Sequence, residues 1–113
     1  MIKIYHNPRC QKSRKALQIL IESGKEFQVR EYLKVLISKE ELTSVISLLR
    51  LSPIDLVRKG ERTWKEKYKD KVLSEDEIIQ IMIENPKLIE CPIVTHNNLA
   101  VVGRPPENIL EII

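Results

Sequence analysis

The stretch Ile2-Lys3-Ile4-Tyr5-His6-Asn7-Pro8-Arg9-Cys10-Gln11-Lys12-Ser13-Arg14 decides the architecture. Its first four residues alternate apolar and polar, a strand pattern. Asn7-Pro8 is turn chemistry. From Gln11 onward, Ala16, Leu17, Leu20 and Ile21 recur on one helical face, and Gly24 supplies a stop after Ser23. Cys10 therefore falls where a helix begins. Free backbone N–H groups and the helix dipole stabilise an anion there, and a thiol so placed is biased toward the reactive thiolate.

Phe27 and Val29 alternate with polar neighbours, predicting a second strand over Glu26 to Arg30. The middle of the chain is helical. Ser38-Lys39-Glu40-Glu41 and Ser74-Glu75-Asp76-Glu77 both read as capping boxes. Ser52-Pro53 opens a short helix to about Arg58, with proline at the first helical position. Leu42, Val45, Ile46 and Leu49 form one stripe, and Ile78, Ile79, Ile81 and Met82 another, ended by Asn85-Pro86. Ile93-Val94-Thr95 and Leu99-Ala100-Val101-Val102, around His96-Asn97-Asn98, form a β-hairpin pattern. Gly103-Arg104-Pro105-Pro106 breaks the strand, and Ile109, Leu110 and Ile113 predict a last helix.

Strand–helix–strand implies a parallel pair with a crossover, and the hairpin completes a mixed four-stranded sheet. The expected fold is α/β and thioredoxin-like, one domain over residues 1–113, with flanking helices and a helical insert at approximately 38–85 after strand two.

Composition bounds the function. A chain of 113 residues with 42% hydrophobic and 31% charged residues is that of a globular protein. The net charge of +3 is mild. The most basic stretch, Arg58 to Lys71, is diluted by Glu61, Glu66 and Asp70 and reads as a solvated face. With few aromatics, nucleic-acid binding is not expected. No apolar run approaches the ~20 residues a membrane helix needs, and the start lacks a secretory pattern, so the expected location is cytoplasmic. Two cysteines and two histidines suggest neither a disulfide framework nor a metal site.

Around Cys10, Ser13 and Arg14 stand one helical turn on, where they can reach the thiol. C-x-x-S holds a single thiol and cannot perform the local exchange of C-x-x-C. The loop of cysteine phosphatases has arginine six positions after cysteine; here that position is Ala16. His6 can act on the thiolate or fix the loop.

His6-Asn7-Pro8-x-Cys10-x-x-Ser13-Arg14 is similar to the signature of the glutaredoxin-coupled arsenate reductase family. Leu56-Val57-Arg58-Lys59, Asn85-Pro86-Lys87-Leu88-Ile89, Pro92-Ile93-Val94 and Gly103-Arg104-Pro105 resemble its later segments, in order. The resemblance implies that Cys10 attacks arsenate or a similar oxyanion, that glutathione is the co-substrate, and that glutaredoxin supplies the last reducing step. No bound cofactor or metal is implied, and no oligomer seam is apparent, so a monomer is expected. Two of the family's three anion-holding arginines carry over to Arg58 and Arg104. The third does not: where the family has arginine before Pro-Ile-Val, this chain has Cys91. An oxyanion donor of that kind contributes about 3 kcal/mol in comparable sites. The resemblance makes Pro92 the cis-proline beside the active thiol, and so puts Cys91 next to Cys10 as a possible resolving thiol. Two alternatives stay open. One is a general redox protein using a Cys10–Cys91 disulfide. The other is a regulator of the Spx type, against which Ser13 in place of a second cysteine argues.

Overall fold

The computed structural model describes all residues, Met1–Ile113. They form two compact units: Met1–Val35 with Cys91–Ile113, and Leu36–Glu90.

The first unit is built on a four-stranded sheet in the order β2-β1-β3-β4. β1 is Ile2–Tyr5, β2 Phe27–Arg30, β3 Ile93–His96 and β4 Leu99–Val102. β1 runs parallel to β2, pairing Ile4 with Val29. It is antiparallel to β3, pairing Ile4 with Val94, and β3 is antiparallel to β4, pairing Val94 with Val101. A parallel pair needs a crossover, and α1, Gln11–Ser23, supplies it. This is the thioredoxin-like arrangement. β1 lies in the middle of the sheet, so Ile2, Ile4 and Tyr5 are all buried, whereas the edge strand β2 leaves Val29 exposed.

α1 ends as its sequence dictates, on Gly24 at φ 72°, a left-handed backbone that glycine adopts without steric cost. Ala16 and Leu20 from α1, Ile2 and Ile4 from β1, Val94 from β3 and Ile109 make the core of this unit. Ile109 belongs to the last helix expected from the sequence, which is a 3-10 helix, Pro106–Glu111. Asn108 N–H closes on Pro105 O at 3.0 Å and Ile112 N–H on Ile109 O at 3.2 Å, the i→i+3 bonds of that helix. The hairpin turn is Asn97-Asn98, with Asn97 at φ 56°. His96, expected in that turn, closes β3 instead, and its Nδ1 donates to the carbonyl of Ile112 at 2.6 Å.

The second unit holds α2, Lys39–Leu49, α3, Arg62–Lys67, and α4, Glu75–Glu84. Ser38 accepts the Glu41 N–H, and Ser74 and Glu77 satisfy each other's amides as a complete capping box. The apolar stripes of α2 and α4 pack together, burying Leu42, Val45 and Ile46 with Ile78 and Met82. The segment after Ser52 is a 3-10 turn, Pro53–Leu56, shorter than expected because Val57 leaves it in extended conformation. Val57 pairs with Ile89 in an antiparallel bridge, flanked by Arg58 N–H to Leu88 O at 2.7 Å and Glu90 N–H to Leu56 O at 2.9 Å.

One glycine is dictated by space. A Cβ on Gly103 would stand 2.7 Å from Pro92 Cγ and 3.4 Å from Ile109 Cγ2. The proline ring cannot swing aside, and the Gly103 N–H bonds Pro92 O at 2.9 Å. Gly103→Ala is therefore expected to cost about 1–3 kcal/mol, the usual range for overpacking. A lowered urea midpoint at unchanged m-value is the predicted result; an unchanged midpoint would show that the contact yields without cost.

Candidate active site around Cys10

β1 delivers the chain to His6, whose N–H extends the parallel ladder to Arg30 O at 2.9 Å. From there a five-residue turn leads into α1, and its hydrogen bonds leave little freedom. Asn7 Oδ1 accepts the Arg9 N–H at 3.0 Å, and Asn7 O accepts the Cys10 N–H at 2.9 Å. Ser13, wholly buried, accepts the Asn7 N–H at 3.1 Å and lies 2.6 Å from His6 Nδ1. Arg14 Nη1 donates to Pro8 O at 2.8 Å.

Ser13 and Arg14 thus act on the loop. The hydrogen bonds of the Ser13 hydroxyl go to Asn7 and His6 rather than to the Cys10 sulfur, because Ser13 faces inward from the first turn of α1. His6 likewise holds Ser13. Sequence spacing gave Ser13 and Arg14 a reach to Cys10 and left His6 open between the thiolate and the loop; the tertiary arrangement directs all three to the loop that carries Cys10.

Cys10 is the N-cap residue of α1, in extended conformation at φ −92° and ψ 118°, and its side chain makes no capping bond. It is half-buried. Its Sγ donates to the carbonyl of Cys91 at 3.7 Å, a weak bond of the kind sulfur makes. Arg104 Nη1 donates to the same oxygen at 3.2 Å. The thiol and the guanidinium therefore stand no further apart than these two bonds allow. Pro92 follows Cys91 through a cis peptide bond, and Arg104 is joined to Pro105 by another. Cys91 is completely buried, and neither cysteine is in a disulfide. A negative group approaching Cys10 would meet one fixed cation and the start of α1.

Arg58 belongs to the second unit. It is half-buried, and its backbone is pinned on both sides, by its N–H to Leu88 O and by its carbonyl to the Glu61 N–H at 3.0 Å. No group of three or more His, Cys, Asp or Glu side chains is placed to hold a metal ion. Gly103 is the site residue that the sequence reading passed over as a strand breaker. The only signal available was its position directly before Arg104; its close approach to Pro92 is a long-range contact.

Burial lowers the His6 pKa from its ordinary 6.5, and Arg14 lowers it further, against an opposing effect from Glu31. The ring is thus neutral at neutral pH. A histidine with a depressed folded-state pKa gives stability that is complete above 6.5 and is lost as pH falls through the lowered value, because the unfolded chain binds the proton first. Acidification across this window is expected to lower the melting temperature of the wild type more than that of His6→Gln, which cannot titrate. Parallel melting curves for the two proteins would show that His6 is not buried as a neutral ring.

Comparison with known proteins agrees with this geometry. The model of the ArsC family matches residues 5–112. An uncharacterised protein of Escherichia coli K12, YfgD, is 46% identical, with 99% of this chain and 96% of the relative aligned. An arsenate reductase of Haemophilus influenzae is 42% identical over 97% of each chain. The solved structure of an arsenate reductase from Vibrio cholerae superposes with a TM-score of 0.93 at 44% identity, over 99% of this chain and 97% of that one. A thiol at the start of α1, an arginine brought to it by the strand β4 exit, and a family match across nearly every residue lead to one conclusion: this chain belongs to the ArsC family.

Proposed function

We propose that the protein is a thiol-dependent arsenate reductase, an oxidoreductase with Cys10 as its nucleophile. The observation that carries this reading is the convergence of Cys10 Sγ and Arg104 Nη1 on the carbonyl of Cys91. It sets a nucleophile beside a cation suited to a tetrahedral oxyanion.

In this reading the Cys10 thiolate attacks arsenic and displaces one oxygen as water, forming a sulfur–arsenic bond. Arg104 balances the charge on the remaining oxygens. Arg58 is assigned to the same anion on the family pattern. The glutathione thiolate then attacks the Cys10 sulfur, and the sulfur–arsenic bond breaks with its electron pair left on arsenic. As two thiols are oxidised to a disulfide, arsenic gains two electrons and leaves as arsenite. Glutaredoxin reduces the resulting mixed disulfide. The reading calls for a reducing compartment, the cytoplasm, where both partners are available and the thiol is kept reduced. It requires a single copy of the chain. His6, Asn7, Ser13 and Arg14 serve by holding the loop that presents Cys10.

Cys91 supports a second route for the same electrons. A disulfide needs Cα atoms within about 7 Å, and the 3.7 Å contact between Cys10 Sγ and Cys91 O favours that reach. Cys91 would attack the Cys10 sulfur in place of glutathione, closing a Cys10–Cys91 disulfide as arsenite leaves.

One experiment tests both. Arsenate-dependent NADPH oxidation is followed with glutathione, glutaredoxin and glutathione reductase, and the intact mass is taken after arsenate is added without glutathione. Cys10→Ser is expected to abolish turnover. Arg104→Ala is expected to lower it by about a hundredfold, as for other lost oxyanion donors. Cys91→Arg, which restores the family arginine, is expected to raise it. A protein inert in both wild-type and Cys91→Arg forms would make arsenate the wrong substrate. A loss of two hydrogens that is absent in Cys91→Ser supports the second route; a mass unchanged in the wild type removes it.

A further inference from the structure

The second unit carries a cavity of about 540 Å³ between α3, the 3-10 turn at Pro53–Leu56 and the start of α4. Its size lies within the range of ligand-accepting clefts. Its floor is apolar, with Ile54, Trp64 and Ile78. Trp64 is 6% exposed and is supported by Tyr68, ring centroid to ring centroid 5.7 Å. The rim is different: Lys59, Lys65, Lys69 and Lys71 all line the cavity, and all four are exposed. None of them is in an ion pair, and no carboxylate lines the cavity.

The fold has sorted charges that are mixed along the chain. Between Arg58 and Lys71 the acids Glu61, Glu66 and Asp70 alternate with the bases, which is the signature of a solvated face. Arg62 takes up Glu66 at 2.7 Å, one turn along α3. The lysines are left around an apolar floor with no carboxylate among them, and Lys71 Nζ stands 5.7 Å over the Tyr68 ring. Val72, beside the rim, is fully exposed at 102%. A neutral ligand would leave the lysine rim without a counter-charge. A bare polyanion would leave the floor wet, and Trp64 is too covered to stack on a nucleic-acid base.

We infer that this cavity docks an acidic segment of a partner protein that inserts one bulky apolar side chain between the lysines. The apolar side chain supplies affinity by leaving water for the Ile54–Trp64–Ile78 floor. The carboxylates on either side supply orientation and encounter rate, since exposed ion pairs contribute little affinity singly. This site is independent of Cys10 chemistry.

The single tryptophan of the chain reports directly on occupancy. A short peptide with one phenylalanine flanked on both sides by aspartates is titrated while Trp64 emission is followed. The wild type is expected to bind it, more weakly as salt rises. Replacing the phenylalanine by alanine is expected to weaken binding about tenfold or more. The K65E/K69E variant, altered only at exposed positions and checked for native circular dichroism, is expected to lose binding by a similar factor. Cys10→Ser is expected to bind as the wild type does. The proposal is overturned if the peptide does not bind, if the alanine peptide binds equally, or if K65E/K69E binds unchanged. It is also overturned if an oligothymidylate binds as tightly as the phenylalanine peptide, since charge alone would then suffice.

Discussion

The carbonyl oxygen of Cys91 is the point on which the site depends. It accepts the Cys10 thiol and the Arg104 guanidinium, which lie far apart in the chain. A backbone acceptor is well suited to this task, since its position is set by the chain and not by a rotamer. The chain there is set in turn by Pro92, whose ring fills the space where Gly103 would otherwise carry a Cβ and whose carbonyl binds the Gly103 N–H. Gly103 hands the chain to Arg104. One close backbone approach thus fixes both where the thiol's neighbour lies and where the cation emerges.

On the other side of the sulfur, rigidity comes from Ser13. Its hydroxyl is buried within the first turn of α1 and closes the loop on Asn7 while meeting His6 at the end of β1. A C-x-x-S sequence is usually compared with the dithiol motif it resembles. Here the serine is a structural tie. Exchanging it for cysteine would put a poorer hydrogen-bond acceptor where the loop needs an oxygen. The position would then lose its hold on the Asn7 amide.

The sequence revealed features governed by local physics. The alternation in Ile2–Tyr5, the glycine stop at Gly24, the serine caps of α2 and α4 and the hairpin around Asn97-Asn98 are all short-range signals, and each appears in the structure. The short helix expected from Pro53 and the last helix expected around Ile109 are both 3-10 turns, Pro53–Leu56 and Pro106–Glu111, a subtype that apolar spacing does not distinguish. The partners of Ser13, the tight approach of Gly103 to Pro92 and the gathering of Lys59, Lys65, Lys69 and Lys71 depend on contacts that no spacing rule encodes. The resemblance assigned Cys10 and Arg104 to one site because a family pattern already contains such long-range information. Charge sorting around Trp64 leaves no local signal, and there the mixed sequence read as plain surface.

The central claim is that a fixed cation stands beside the Cys10 sulfur. Alkylation by two reagents of similar shape and different charge tests it most directly. Iodoacetate carries the negative charge that an oxyanion would; iodoacetamide does not. In Cys91→Ser, where Cys10 is the sole thiol, the ratio of the two rates at neutral pH is predicted to exceed that for free glutathione. It is predicted to fall when Arg104→Ala is added, through a loss in the iodoacetate rate. A ratio equal to that of glutathione and indifferent to Arg104 would contradict the account.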